Sequence, residues 1–252
     1  MCLIAFAWQM SGRPLLLLGN RDEFHPRATR PACFWNEEGQ PDLLAGKDLE
    51  AGGTWLGVTR SGRFAALTNI RSPQARRGPS SRGKLVLDYL TGRMSPEAYM
   101  TSLTDSLGEY AGFNLLAGTM QQLWFLNSDE AQARELTPGI YGLSNASLNS
   151  PWPKLQALRT GLEQQLDTDS DSDSDTLLDL LKDSREYPDD QLPDSGVNLE
   201  WERRLSATFI LGEEYGTRSS SLLGIDADGS ITFVEQSFGP NGQELGESGW
   251  IL

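Results

Sequence analysis

An α+β layered architecture is predicted by two observations. Apolar runs come in pairs joined by short Ser-Gly or Asp-Gly turns, and helical patterns fall in blocks between those pairs. Alternating strand and helix, the sign of a parallel sheet, is absent from the pattern. Cys2 to Gln9 and Leu15 to Gly19 read as strands around the turn Ser11-Gly12. A two-residue loop there sets Met10 opposite Arg13, so that Cys2 faces Arg21. Pro14 lacks an N–H and is a place where this register can slip.

TWLGVTRSGRFAALTN, residues 54 to 69, repeats the device around Ser61-Gly62, and the same counting pairs Thr54 with Asn69. FNLLAG (113–118) and QLWFLN (122–127) form a third pair. ATFILG (207–212), SSSLLGID (219–226) and ITFVEQ (231–236) read as further strands, the last two joined at Asp228-Gly229. Helical spacing marks Lys84 to Leu90, Ser95 to Leu107, Pro153 to Leu166 and Thr176 to Lys182. DTDSDSDSD, with five Asp in nine residues from 167 to 175, reads as a flexible acidic loop within one domain spanning residues 1–252.

The 252 residues carry a formal charge of −14, which argues against nucleic-acid binding. The only cysteines, Cys2 and Cys33, give no disulfide framework and point to a reducing compartment. No secretory leader and no bilayer-spanning run is evident, so a cytoplasmic protein is expected. A single histidine, His25, excludes a His-rich zinc site and leaves imidazole catalysis one position only.

That scarcity directs attention to Cys2. A thiol needs a base, and removal of Met1 would give Cys2 its own α-amine, with an ordinary pKa of about 7.7–8. The hairpin brings NRDE, residues 20 to 23, beside it. Arg21 is a candidate for favouring the thiolate, and Asp22 or Glu23 for orienting the amine; the choice between the two acids stays open. Asn145 in YGLSN is a candidate donor to an oxyanion, and Arg218 in YGTRSS a candidate for binding a carboxylate or polarising the nucleophile. RSPQARRGPSSRGK, residues 71 to 84, holds four Arg and one Lys with no acid. This loop, with Arg71, Arg76 and Arg77, is a candidate site for phosphates, propionates or an acyl product's carboxylate.

MCLIAF, GNRDEF, AGGTWLG, AALTN, GFNLL, YGLSN, PWPK, QLPD and YGTRSS, in this order from Met1 to roughly Phe238, resemble the NRDE or transport and Golgi organisation protein family. The family is itself similar to cysteine-type N-terminal nucleophile hydrolases such as penicillin V acylase, bile salt hydrolase and acid ceramidase. The resemblance implies a four-layer αββα sandwich of two antiparallel sheets. It implies catalytic roles for Cys2, Arg21 with Asp22 or Glu23, Asn145 and Arg218, acting without a cofactor on a non-peptide amide or thioester of a small acyl compound. It equally implies a non-catalytic alternative, a haem-trafficking carrier or an acyl-CoA homeostasis factor using the same cleft. His25, with Cys2 and Cys33, is then a conceivable haem ligand, and Trp55 and Asn69 are further ligand-binding candidates.

Overall fold

Ser11 and Gly12 both adopt positive φ, 50° and 76°, which is the two-residue turn whose twist matches a hairpin. Strands β1 (Cys2–Met10) and β2 (Arg13–Phe24) therefore pair with Met10 opposite Arg13 and Cys2 opposite Arg21, as the counting predicts. Pro14 does not shift the register; Gln9 across from it takes a positive φ of 51° instead.

This hairpin lies inside a six-stranded sheet of order β10-β1-β2-β11-β12-β13 in the computed structural model, which describes residues 2–71, 78–168 and 173–252. Its other strands are β10 (Gly139–Leu143), β11 (Tyr215–Ile225), β12 (Ile231–Phe238) and β13 (Glu244–Ile251). A seven-stranded sheet runs in chain order through β3 (Thr29–Trp35), β4 (Gln40–Asp48), β5 (Leu56–Thr59), β6 (Phe64–Asn69), β7 (Phe113–Gly118), β8 (Leu123–Asn127) and β9 (Gln132–Glu135). Every strand pairing in both sheets is antiparallel.

Strand alternation assigns the layers. Ile4, Phe6 and Trp8 of β1 face inward and meet Val58, Phe64, Leu116 and Phe125 of the other sheet, forming the central core. The intervening Leu3, Ala5 and Ala7 face outward and are covered by α3 (Pro153–Thr168) and α4 (Ser174–Asp179). The small residues on that face let the helix approach closely: a Cβ on Gly142 would lie 2.8 Å from Leu155. On the opposite side α1 (Gly83–Thr91) and α2 (Pro96–Leu103) cover Leu43, Ala65, Leu67, Leu115 and Leu126. The result is an αββα sandwich.

Three local expectations need correction. In the second hairpin Val58 faces Phe64 and Leu56 faces Ala66, one residue away from the predicted register. The loop holds Arg60, Ser61 and Gly62, with Gly62 at φ 77° and Thr59 N–H donating to Arg63 O at 2.8 Å, so one extra residue leaves the ladder. Residues 207–212 form no strand. Their backbone groups bond a mixture of partners outside any ladder: Thr208 O accepts from Asn20 Nδ2, Phe209 N–H donates to Asp183 O, and Ile210 N–H donates to Thr217 Oγ1. They follow a helix the pattern missed, α5 (Leu199–Ser206), capped by Asn198. Finally, Ser95 to Leu107 is not one helix; α2 ends at Leu103 and a 3-10 turn covers Leu107–Glu109.

Of the acidic run, Asp167 closes α3 and Asp173 caps α4, while residues 169–172 lie outside the described ones. Among the described residues no helix is long and apolar enough to cross a membrane.

Candidate functional site

The two sheets part at the end where β1 begins, leaving a cleft of about 630 Å³. Cys2, Arg21, Asp22, Glu23, Trp55, Asn69 and Arg218 line it, together with Arg82, Glu235, Phe238 and Leu245. Cys2 is 7% exposed at the first rung of β1. Burial pushes its thiol up to about 11, so at neutral pH the sulfur holds its proton.

Alternation along β2 separates the two acids that the sequence leaves open. Residues directly opposite in an antiparallel pair share a face, so Arg21 and Glu23 lie on the Cys2 side. Asn20 and Asp22 point toward the helix layer. Asp22 is buried there, accepts from Thr217 Oγ1 at 2.8 Å, and its carboxyl is raised by burial, an effect opposed by Lys154. Glu23 accepts from Phe24 N–H and lies 4.0 Å from Arg27.

The cleft's cations are unequally partnered. Arg27 pairs with Asp48 at 2.7 Å and Glu50 at 3.2 Å, and Arg30 and Lys47 share Glu38 at 2.7 and 2.9 Å. Arg21 reaches Asp48 only at 3.8 Å, and its buried Nη1 has no hydrogen-bond partner among the described residues. Arg218 Nη1 donates to Phe24 O and Arg27 O at 3.0 and 3.1 Å, and its buried Nε is likewise unpartnered among them. Arg82 donates to Gly112 O at 3.1 Å, and no carboxylate pairs with it among the described residues. Burial lowers the affinity of Arg82 and Arg218 for their protons, as expected for desolvated cations lacking a counter-ion.

Other candidate residues stand elsewhere. Asn145 is 1% exposed behind the cleft wall, where its Nδ2 donates to Asn69 O at 2.8 Å and its carbonyl accepts from Arg71 N–H. It fixes the strand end that carries Asn69, a residue of the cleft lining. Arg71 is buried against Glu202 at 3.1 Å, with its guanidinium 5.0 Å from the Trp152 ring, outside the cleft. His25 follows β2 and is not a lining residue; burial and Arg218 lower its pKa, which favours neutral imidazole. Arg76 and Arg77 lie outside the described residues, as does Met1. Among the described residues no group of three His, Cys, Asp or Glu side chains gathers to hold a metal ion.

Two polar clasps hold the sheets at the cleft. On one side Asn114 Nδ2 of β7 donates to Thr68 Oγ1 and Ala146 O at 3.0 and 2.8 Å, while Asn127 Nδ2 donates to Asn114 Oδ1 at 2.8 Å. On the other, Glu235 of β12 accepts from Ala32 N–H of β3 at 2.7 Å and from Ser221 Oγ at 3.3 Å.

Burial raises the carboxyl of Glu235, and this has a sign in stability. As pH rises past the ordinary glutamate value the unfolded chain releases its proton first, so folding weakens until the folded-state value is passed. Glu235→Gln is expected to remove that loss. Thermal melts from pH 4 to 8 should show the variant gaining on the parent as pH rises; parallel curves would refute this role of burial.

Lys154 is a buried cation next to the site that sequence reasoning did not single out. It is 2% exposed at the second position of α3, and burial lowers its pKa to about 8. A lysine in a first helical turn opposes the helix dipole, and that was the available signal.

The protein-family model described as Transport and Golgi organisation 2 matches residues 1–240. The Transport and Golgi organization protein 2 homolog of Bos taurus is 34% identical over 264 residues, covering 94% of this chain and 93% of its own. The Homo sapiens homolog is also 34% identical, over 260 residues with the same coverage, and the Drosophila melanogaster protein 28% over 264 residues, covering 94% and 92%. Among solved structures, the C2A mutant of conjugated bile acid hydrolase from Clostridium perfringens superposes with a TM-score of 0.54 at 9% identity, over 98% of this chain and 92% of that one. That likeness shows a shared N-terminal nucleophile hydrolase fold.

Proposed function

Since the chain belongs to the Transport and Golgi organisation 2 family and has an N-terminal nucleophile hydrolase fold, we propose that it is a cytoplasmic hydrolase-like protein cleaving a non-peptide amide or thioester of a small acyl compound, with Cys2 as nucleophile. The observation that carries this reading is the meeting of Cys2, Arg21, Asn69 and Arg218 in one cleft.

A thiol held protonated cannot attack unaided. In the proposed step Sγ bonds to the acyl carbon, the carbonyl electron pair moves to oxygen, and the thiol proton passes to the α-amine that Cys2 bears once Met1 is removed. Asn69, whose backbone carbonyl accepts from Asn145, is the proposed donor to the oxyanion, with backbone N–H groups. Collapse breaks the C–N or C–S bond, and the leaving group takes the proton from the amine. Water then hydrolyses the thioester to Cys2. No cofactor enters this sequence.

The guanidinium groups without carboxylate partners among the described residues, Arg82 and Arg218, suit an anionic group on the acyl compound, such as a carboxylate or phosphate. Arg82→Ala is expected to raise KM for such a compound about 10–100-fold with kcat little changed, the worth of a charge-assisted hydrogen bond. Equal KM values for parent and variant would remove Arg82 from the binding site. Intact mass decides whether Met1 is removed; a retained methionine would sink the amine step.

A binding-only role in acyl-lipid homeostasis uses the same residues without turnover, and the raised thiol favours it where Met1 stays. The donor set suits haem poorly. Of the candidate axial ligands only Cys2 lines the cleft, and it is a protonated thiol, whereas Cys33 and His25 lie apart.

A further inference from the structure

We propose that Lys154 is a positioning residue of the Cys2 site, its ammonium holding Asp22 as a carboxylate from the helix side of β2. This rests on the reading that Cys2 is the working group.

The segment after α5 connects the two groups. Lys154 Nζ donates to Leu205 O at 2.7 Å and Ala207 O at 3.4 Å. The next carbonyl, Thr208 O, accepts from Asn20 Nδ2 at 2.8 Å, on the same face of β2 as Asp22. Two residues further, Ile210 N–H donates to Thr217 Oγ1, which itself donates to Asp22. One short backbone run thus carries the lysine, the neighbour of Asp22 and the hydroxyl that Asp22 accepts from.

The charges around Lys154 are balanced. The charges acting on Lys154 are, in order, those of Asp22 of β2, Arg71 after β6, Cys2 of β1 and Glu202 of α5. Those acting on Asp22 are Lys154, the chain's amino terminus and Arg71, and Tyr215 of β11 feels Asp22 in turn. Two buried anions, Asp22 and Glu202, meet two buried cations, Lys154 and Arg71. Arg71 pairs with Glu202 at 3.1 Å, and among the charges acting on Asp22 that of Lys154 leads. Each is the leading opposite charge acting on the other. Burial raises the Asp22 carboxyl, and removing the ammonium takes away the leading charge that opposes this, which favours the neutral form. A neutral Asp22 has no charge to act on the thiol or on the amine of residue 2.

The test uses the full chain with Met1 removal verified by intact mass, and reads Cys2 alkylation by iodoacetamide through peptide mapping, which separates it from Cys33. The negative charge of Asp22 opposes the thiolate, so Asp22→Asn is expected to speed alkylation at pH 7 about 3–10-fold in the parent. In Lys154→Met the same substitution is expected to change the rate less than about 1.5-fold, because Asp22 is already neutral, whereas Lys154→Arg keeps the parent's response. Should Lys154→Met fail to fold, Lys154→Gln keeps donors for the two carbonyls without the charge and replaces it. An Asp22→Asn effect of equal size with and without the lysine charge overturns the proposal. So does an Asp22→Asn substitution that leaves alkylation unchanged in the parent. Turnover is not read, so absence of hydrolysis counts against the proposed function, while the alkylation rates alone decide the coupling.

Discussion

Cys2→Ala is expected to abolish acyl transfer, lowering kcat on the order of a thousandfold or more, while the protein still binds its acyl compound. The side chain is small and almost buried at the start of β1, so alanine removes the sulfur without disturbing the ladder to Arg21. A panel of chromogenic acyl amides and thioesters measures the loss, and intact mass measures the acyl adduct that only the parent can form. Turnover surviving in the alanine variant would assign the chemistry to another group. Binding without turnover in both proteins would leave the cleft as a carrier site.

The second large effect concerns stability. Asn114→Ala is expected to destabilise the fold by roughly 3 kcal/mol, because Ala146 O, Thr68 Oγ1 and Asn127 Nδ2 all lose a buried partner at once. Urea unfolding measures it. The loss should also reach the site, since the segment released at Ser144–Ala146 carries Asn145 and so the hold on Asn69. A variant within about 0.5 kcal/mol of the parent would show that water replaces the lost partners.

What was legible in the sequence follows from how local each contact is. The Cys2–Arg21 pairing depends on a two-residue turn whose geometry Ser11-Gly12 can supply, and counting recovered it. The same letters at Ser61-Gly62 sit in a three-residue loop, and nothing in the letters distinguishes the two. ATFILG reads as a strand by composition, but two of its carbonyls are taken by Asn20 and Lys154, remote in sequence, and two of its amides by Asp183 O and the Thr217 hydroxyl. The site shows the same division. NRDE is adjacent to Cys2 through one hairpin, whereas the Asn145–Asn69 link crosses from one sheet to the other, and the burial of Lys154 arises only when α3, α5 and β2 have met. Arg71 read as a ligand-binding loop cation because its partner Glu202 stands 131 residues away.

The position of β11 beside β2 has a consequence for the order of assembly. The nucleophile hairpin is complete within the first 24 residues of the chain. The hydroxyl that Asp22 accepts from arrives with Thr217, 195 residues later, and Arg218 follows it. Contacts so distant close late, since the intervening loop must first lose its freedom. On the ribosome the thiol therefore emerges together with Arg21, Asp22 and Glu23, but the Thr217 hydroxyl, Arg218 and Glu235 join it only when the last fifth of the protein is made. A chain cut short before β11 would carry the cysteine hairpin with the second edge of β2 unpaired and without Thr217 and Arg218.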